Sequence, residues 1–272
     1  MQGFSVSPRE IFASALRNRS LLKQLLVRDI SERYRGSVAG GLWTLFHPLL
    51  MLATYSFVFG AVFKAAWFPA GGSKATFALA LFAGLMVFNF FSESVNRAPG
   101  SILGNANFVK KVVFPLEVLP LVAIGSALIH FFVSFAVWCL FCVFVIGMPA
   151  VSVLLLPLIL VPFVCFTAGV CWLVSSLSVY LRDMAEVVSI ALSALMFLSP
   201  VFYPMSALPA GFESLLRINP LVFPIESTRA LLLEGRLPEV RDILLNFATS
   251  GLVAWLGFAW FQKTRKGFAD VL

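Results

Sequence analysis

Apolar residues run along this chain in long unbroken stretches, and polar residues gather between them. From Val118 to Leu181 there are 64 consecutive residues without Asp, Glu, Lys or Arg. About 20 apolar residues in a helix span the hydrocarbon of a bilayer, so this stretch holds two crossings. Gly147-Met148-Pro149-Ala150 interrupts it once, as a hairpin requires. The same reading along the chain predicts six spans, at about Gly41–Phe63, Phe77–Phe91, Pro120–Ile146, Val151–Val179, Val187–Phe202 and Ile243–Phe261. The predicted class is all-α: a polytopic membrane protein with six transmembrane helices, an N-terminal amphipathic interface helix and two short outer helices.

The segments outside the spans carry their own patterns. Ser7-Pro8-Arg9-Glu10 has the spacing of a capping box with proline at the first helical position. Ile11, Phe12, Ala15 and Leu16, and then Leu22, Leu25, Leu26 and Ile30, form an apolar side. Arg17, Arg19, Lys23 and Arg28 punctuate it. Too charged to insert, residues 1–35 are expected to lie in the membrane interface, ahead of one membrane domain over 36–272. Small residues from Gly36 to Gly41 open the first span and permit close helix approach.

The connection from Ser92 to Leu119 is longer than a hairpin needs, and predicts a short helix from about Pro99 to Asn105. Its mixture of polar residues with Ile102, Leu103 and Phe108 suggests docking to another protein. The loop from Tyr203 to Asp242 is divided by prolines into two short amphipathic pieces, near Ala210–Ile218 and Phe223–Leu233, both apolar enough to re-enter the bilayer. Glu226 and Arg229, three apart, are placed to pair on one helical face.

Composition agrees with the pattern: 60% hydrophobic residues and 12% charged, with mean hydropathy +0.94. Of the Lys and Arg residues, fourteen fall in connections on one side and six on the other. By the positive-inside rule both termini are cytoplasmic. The net charge of +7 then reads as attraction to anionic lipid rather than nucleic acid, because the cations flank spans. Cys139, Cys142, Cys165 and Cys171 all lie within the apolar run, as expected of inert thiols. No signal peptide is expected, since the first 35 residues lack a continuous apolar core.

No catalytic or metal-ligating set stands out. The predicted spans hold no acidic or basic residue, which argues against an ion-coupled carrier. Ser126, His130 and Ser134 share one helical face, and a helix contact explains them better than a protease site. Gly71-Gly72-Ser73-Lys74 is not a phosphate loop, because no strand precedes it. If transport is driven, the energy enters through a partner.

Several segments resemble ABC-2 type polysaccharide export permeases. They are Arg28 to Ser37 running into Gly41 to Leu50, Asn105 to Pro115, Tyr180-Leu181-Arg182-Asp183, Ser199-Pro200-Val201-Phe202-Tyr203-Pro204 and Asn219-Pro220-Leu221. The resemblance covers nearly the whole chain. It implies a homodimer of permeases with two copies of an ABC ATPase, exporting an undecaprenyl-linked polysaccharide (O antigen, capsule or teichoic acid) across the bacterial inner membrane. A drug exporter of the same superfamily is the alternative. No cofactor is expected on this chain, with ATP and magnesium on the partner. The resemblance implies a coupling helix at about 97–105, carrying Arg97, Pro99, Ile102, Leu103 and Asn105, and an outer re-entrant gate at about 203–242. It also implies that spans 1 and 5 line the channel. Trp43, His47, Met51 and Tyr55 share one face of span 1, and Ser193 and Phe197 one face of span 5. The gate is expected at Tyr203, Glu226 and Arg229.

Overall fold

The computed structural model describes residues 6–35, 40–55, 57–58, 74–109, 114–205, 211, 216 and 218–272. Its elements are α1 (Pro8–Arg17), α2 (Arg19–Tyr34), α3 (Trp43–Tyr55), α4 (Lys74–Leu103), α5 (Ala106–Val109), α6 (Val118–Val145), α7 (Leu156–Tyr180), α8 (Met184–Leu198), α9 (Val222–Arg229), α10 (Val240–Thr264) and α11 (Phe268–Val271). A π-helical turn, Ala230–Glu234, extends α9. No strand occurs among the described residues. Four helical segments there are long and apolar enough to cross a membrane: Ala75–Leu103, Val118–Val145, Val151–Tyr180 and Val240–Val271. The described parts of the first and fifth expected spans are α3, 13 residues, and α8, 15 residues. Part of the first lies outside the described residues.

Helix α4 is the axis of the bundle, buried along most of its length between α6 and α7 and touched by α3, α8 and α9. It corrects the sequence reading in one important respect. The expected second span stops at Phe91 with a separate helix near 99–105, whereas α4 runs unbroken through Pro99 to Leu103. A proline removes one ladder donor and normally ends a helix. Here Ala98 and Ile102 are fully buried on either side of it, and Ser178 Oγ donates to the Pro99 carbonyl at 3.0 Å. Packing on both sides of the proline carries the helix through the missing bond, and Ser178 pins that turn to α7. It ends at Gly104, with the Asn105 amide donating to the Ser101 carbonyl. Glu93 and Arg97 therefore belong to a membrane helix, which corrects the expectation of spans without charge.

Glycine sets the tightest crossing. Between α7 and α10, a Cβ on Gly257 would overlap the Gly169 carbonyl, and one on Gly169 would overlap the backbone of Val253. In lipid, where no hydrophobic drive separates helix from tail, such backbone proximity is a main source of association. Large apolar residues fill the rest, and buried indoles are satisfied: Trp138 Nε1 donates to Leu79 O at 3.0 Å and Trp172 Nε1 to Glu117 O at 2.9 Å.

The end opposite the α6–α7 hairpin is fastened by a buried ionic knot. Glu117 accepts from Ser14 of α1 at 2.8 Å and from Arg265 after α10 at 2.7 Å, while Arg265 also donates to Phe114 O at 2.7 Å. The chain start and end are thus tied to the root of α6. Helix α1 begins where Ser7 and Pro8 predict, but the Ser7 side chain does not make the cap hydrogen bond of a capping box. Glu10 is instead drawn to Arg17 at 2.6 Å.

Candidate functional site

Three helices turn polar stripes toward one place. On α4, Asn89, Ser92, Glu93, Asn96 and Arg97 follow helical spacing. On α6, Ser126, His130 and Ser134 do the same, and α3 adds Thr44 and His47. Between them lies a cleft of about 520 Å³, with Trp43 at its α3 side and Phe90 and Phe131 in its apolar wall.

Helix α2 supplies the charges that these stripes require. Arg33 pairs with Glu93 at 2.8 Å, and Glu93 also meets His130 Nδ1 at 2.8 Å. One turn earlier Asp29 takes Arg97 at 2.5 Å and the Ser126 hydroxyl at 2.6 Å. Burial raises the Asp29 carboxyl, but the Ser126 and Arg97 hydrogen bonds and the charges of Arg97 and Arg33 outweigh it, leaving it below its ordinary value. The inner face of α2 is therefore partly ionic, not the plain apolar stripe that its sequence suggested. The face of Ser126, His130 and Ser134 proves to be a helix contact for its first two members.

A second cleft of about 600 Å³ opens beside the first, toward the end of α4. Arg28, Asp29 and Glu32 form one wall and Pro99, Gly100, Ser101, Gly104 and Asn105 the other. Asn96 and Arg97 line both clefts. A third groove, about 510 Å³ between α6, α7 and the hairpin, is walled by residues such as Leu128, Phe132 and Val161. It offers no polar group to orient a ligand.

The residues expected to couple to a partner divide into two sets. Arg97 and Pro99 face the clefts, and Ile102 is 0% exposed, so it packs inward rather than anchoring a surface. Leu103, 39% exposed, points outward, and half-buried Asn105 lies at the edge of the second cleft.

The residues expected along a channel lie mostly on open faces. Trp43 and His47 are exposed on α3 and Met51 is half-buried, while the side chain of Tyr55 lies outside the described residues. Ser193 and Phe197 are exposed on α8, Phe197 at 69%. That helix buries only Val188 and Leu192.

At the hairpin end, the motifs around Ser199 and Asn219 come together. Asn219 Nδ2 donates to the Ser199 hydroxyl at 2.9 Å and the Leu198 carbonyl at 3.1 Å, closing the end of α8. Tyr203 donates to the Phe197 carbonyl at 2.9 Å. Glu226 and Arg229 pair at 2.7 Å, as their spacing predicts. Arg229 does more than pair: buried, it donates to Ala80 O at 3.1 Å, Pro200 O at 2.8 Å and Val201 O at 3.1 Å. Of the two outer pieces expected, the second is α9 with its π turn. The first, near Ala210–Ile218, falls largely outside the described residues. Glu93, Asp29, Arg33 and the Glu117–Arg265 pair were not singled out from sequence. The spacing of Asn89, Ser92, Glu93 and Asn96 was the available signal, hidden by ending the second span at Phe91.

Residues 20–233 match the model of the family described as ABC-2 type transporter. The chain is similar to the O-antigen export system permease protein RfbA of Klebsiella pneumoniae, 31% identical over 254 residues, covering 93% of this chain and 95% of that one. Its likeness to the protein of the same name from Myxococcus xanthus is 29% over 259 residues, covering 93% and 95%. With the polysialic acid transport protein KpsM of Escherichia coli it shares 25% over 232 residues, covering 83% and 85%. A family match over most of the chain, agreeing with a helical membrane bundle, leads to one conclusion: the chain belongs to the ABC-2 type transporter family.

Proposed function

We propose that this chain is the membrane-spanning permease subunit of an ATP-driven exporter, moving a lipid-linked polysaccharide, O antigen foremost, from the cytoplasmic to the outer face of the bacterial inner membrane. It is a transport component, not an enzyme. The observation that carries the reading is the near full-length similarity to relatives named for O-antigen export. The polysialic acid transport protein adds a second polymer of the same chemical class.

The geometry supports a route between two copies. Helices α3 and α8 leave aromatic and hydroxyl side chains uncovered: Trp43 and His47 on one, Ser193 and Phe197 on the other. Sugar rings stack on aromatics while their hydroxyls need polar partners, so these faces suit a glycan path once a second copy encloses them. The working unit is then a homodimer with six spans per copy and both termini cytoplasmic, residues 1–35 forming the interface segment and 36–272 the membrane domain. Two copies of an ABC ATPase supply ATP and magnesium chemistry. The turn after α4, presenting Leu103 and Asn105, is the coupling contact. Tyr203, with the Glu226–Arg229 pair behind it, closes the outer mouth by aromatic and aliphatic contact.

Deleting the gene tests this directly. Surface polysaccharide should disappear while its lipid-linked precursor accumulates inside, and the cloned gene should restore export. Unchanged surface polysaccharide in the deletion strain overturns the reading.

A further inference from the structure

Helices α6 and α7 leave a groove that their own side chains do not fill. Both pack closely on α4 but meet one another only sparsely, and the gap between them toward the hairpin holds about 510 Å³. Leu128, Phe132 and Phe135 wall it from α6, and Val153, Val161 and Cys165 from the hairpin and α7. Phe132, Val161 and neighbouring Leu154 are exposed, so the groove is open along one side.

Its position says what covers it. Around α4 the neighbours run in the order α3, α6, α7, α8, because α6 touches α3 and α7, and α7 touches α8. The α6–α7 gap therefore lies across α4 from the α3 and α8 faces proposed to meet a second copy, and that copy leaves it open. Both walls belong to segments long and apolar enough to cross a membrane, so the medium outside is hydrocarbon. An empty gap beside apolar side chains forfeits dispersion contacts, and apolar walls give water no partners. A lipid chain supplies the missing contacts.

The depth of the groove selects the chain. Leu156 to Cys165 is nine helical steps (165 − 156), about 14 Å at the usual rise. One leaflet of a hydrocarbon layer about 30 Å thick is about 15 Å deep. The hairpin marks the water-facing entrance: Gly235 packs beside Ala150 and Ser152, and the exposed Glu234 and Arg236 on either side of it form an ion pair.

We propose that this groove holds one acyl chain of a phospholipid from the leaflet on the hairpin side. The chain lies along α7 from Val153 to Cys165 and bridges α7 to α6 where their side chains do not meet. The site is separate from the glycan route and stands whatever polymer is carried.

The test uses the full chain in nanodiscs doped with palmitoyl phosphatidylethanolamine that carries a diazirine on its acyl chain. After illumination, cross-linked positions are mapped by mass spectrometry. A diazirine at the methyl end should mark Leu128 and residues 161–165, and one beside the ester should mark residues 153–157. Both should label the groove several-fold more than Leu244, Leu245 and Leu252, which are exposed on α10. Val161→Trp fills the groove and should cut this labelling several-fold, while Phe144→Trp, on an exposed position outside it, leaves it unchanged. The map of the unmodified chain decides the matter even where a variant fails to fold. Groove labelling no stronger than on α10, or two probes that mark the same positions, overturns the site. Displacement of the palmitoyl probe by an equal amount of undecaprenyl phosphate also overturns it, by assigning the groove to a polyprenyl chain.

Discussion

Arg229 occupies the space that a side chain on Gly84 would need, its terminal nitrogen 2.7 Å from where a Cβ there would stand. Glycine in the middle of a membrane helix thus admits a guanidinium that binds the backbone of α4 and of the segment after α8 together. Arg229→Met strips donors from three carbonyls and leaves Glu226 partly buried without its cation. We expect it to destabilise the detergent-solubilised protein by about 3 kcal/mol, within the range for breaking a buried ion pair. Arg229→Lys should recover only part, since one ammonium cannot reach all the acceptors in their fixed directions. Equal thermal unfolding of all three proteins would contradict this role.

The α7–α10 crossing makes a sharper prediction, because it contrasts glycines on one helix. A Cβ on Gly257 overlaps backbone, whereas a Cβ on Gly251 meets nothing within 4 Å. Gly257→Ala should cost about 1–3 kcal/mol through overpacking. Gly251→Ala should be neutral or stabilising by up to about 1 kcal/mol, since alanine is the better helix former. Thermal stability of the two variants, measured side by side, decides it.

The docking of α2 should be insensitive to pH across the neutral range. The Asp29 carboxyl in the folded chain titrates below its ordinary value of 3.8. Its contribution is therefore present above 3.8 and lost only as pH falls through the lower, folded value. Amide exchange protection of α2, corrected for intrinsic rates, should hold steady between pH 7 and 5, and Asp29→Asn should reduce it at pH 7. Loss of wild-type protection near pH 6 would mean that another group controls the docking.

Much of this was readable in the sequence. The charge-free run from Val118 to Leu181 announces α6, the hairpin and α7, and the Glu226–Arg229 spacing announces their pair. What sequence concealed came from tertiary partners. Pro99-Gly100 is a strong local stop, overridden because Ala98 and Ile102 are packed on every side and Ser178 ties the Pro99 carbonyl to α7. Ending the second span early then hid Glu93 and Arg97 as loop residues, and with them the polar cleft. The ions of α2 read as surface charge because their partners lie 60 to 100 residues away: Asp29 with Arg97 and Ser126, Arg33 with Glu93 and His130. The glycine crossing was missed for a similar reason, since Ser250, Ala254 and Gly257 form a small-residue stripe whose counterpart, Gly169, stands alone.

Coupling to the ATPase is assigned to the exposed turn after α4, and adjacent residues separate contact from fold. Leu103→Asp should weaken co-purification with the ATPase by at least several-fold while leaving the permease in the membrane. Ile102→Asp should instead lower the amount of folded permease, because it buries a charge in the core. Wild-type co-purification and export in Leu103→Asp would move the contact elsewhere.

The central claim is transport of a lipid-linked polysaccharide driven by a separate ATPase. Proteoliposomes containing the permease and its ATPase should be loaded with the lipid-linked glycan in the outer leaflet, with ATPase domains facing out. Glycan-specific digestion from outside reads how much remains accessible. With ATP, the accessible fraction should fall as glycan moves to the lumen. It should stay constant without ATP, and with the permease alone, which should hydrolyse no ATP. Accessibility that ATP leaves unchanged in the complete complex, or ATP-dependent movement by the isolated permease, would contradict the account.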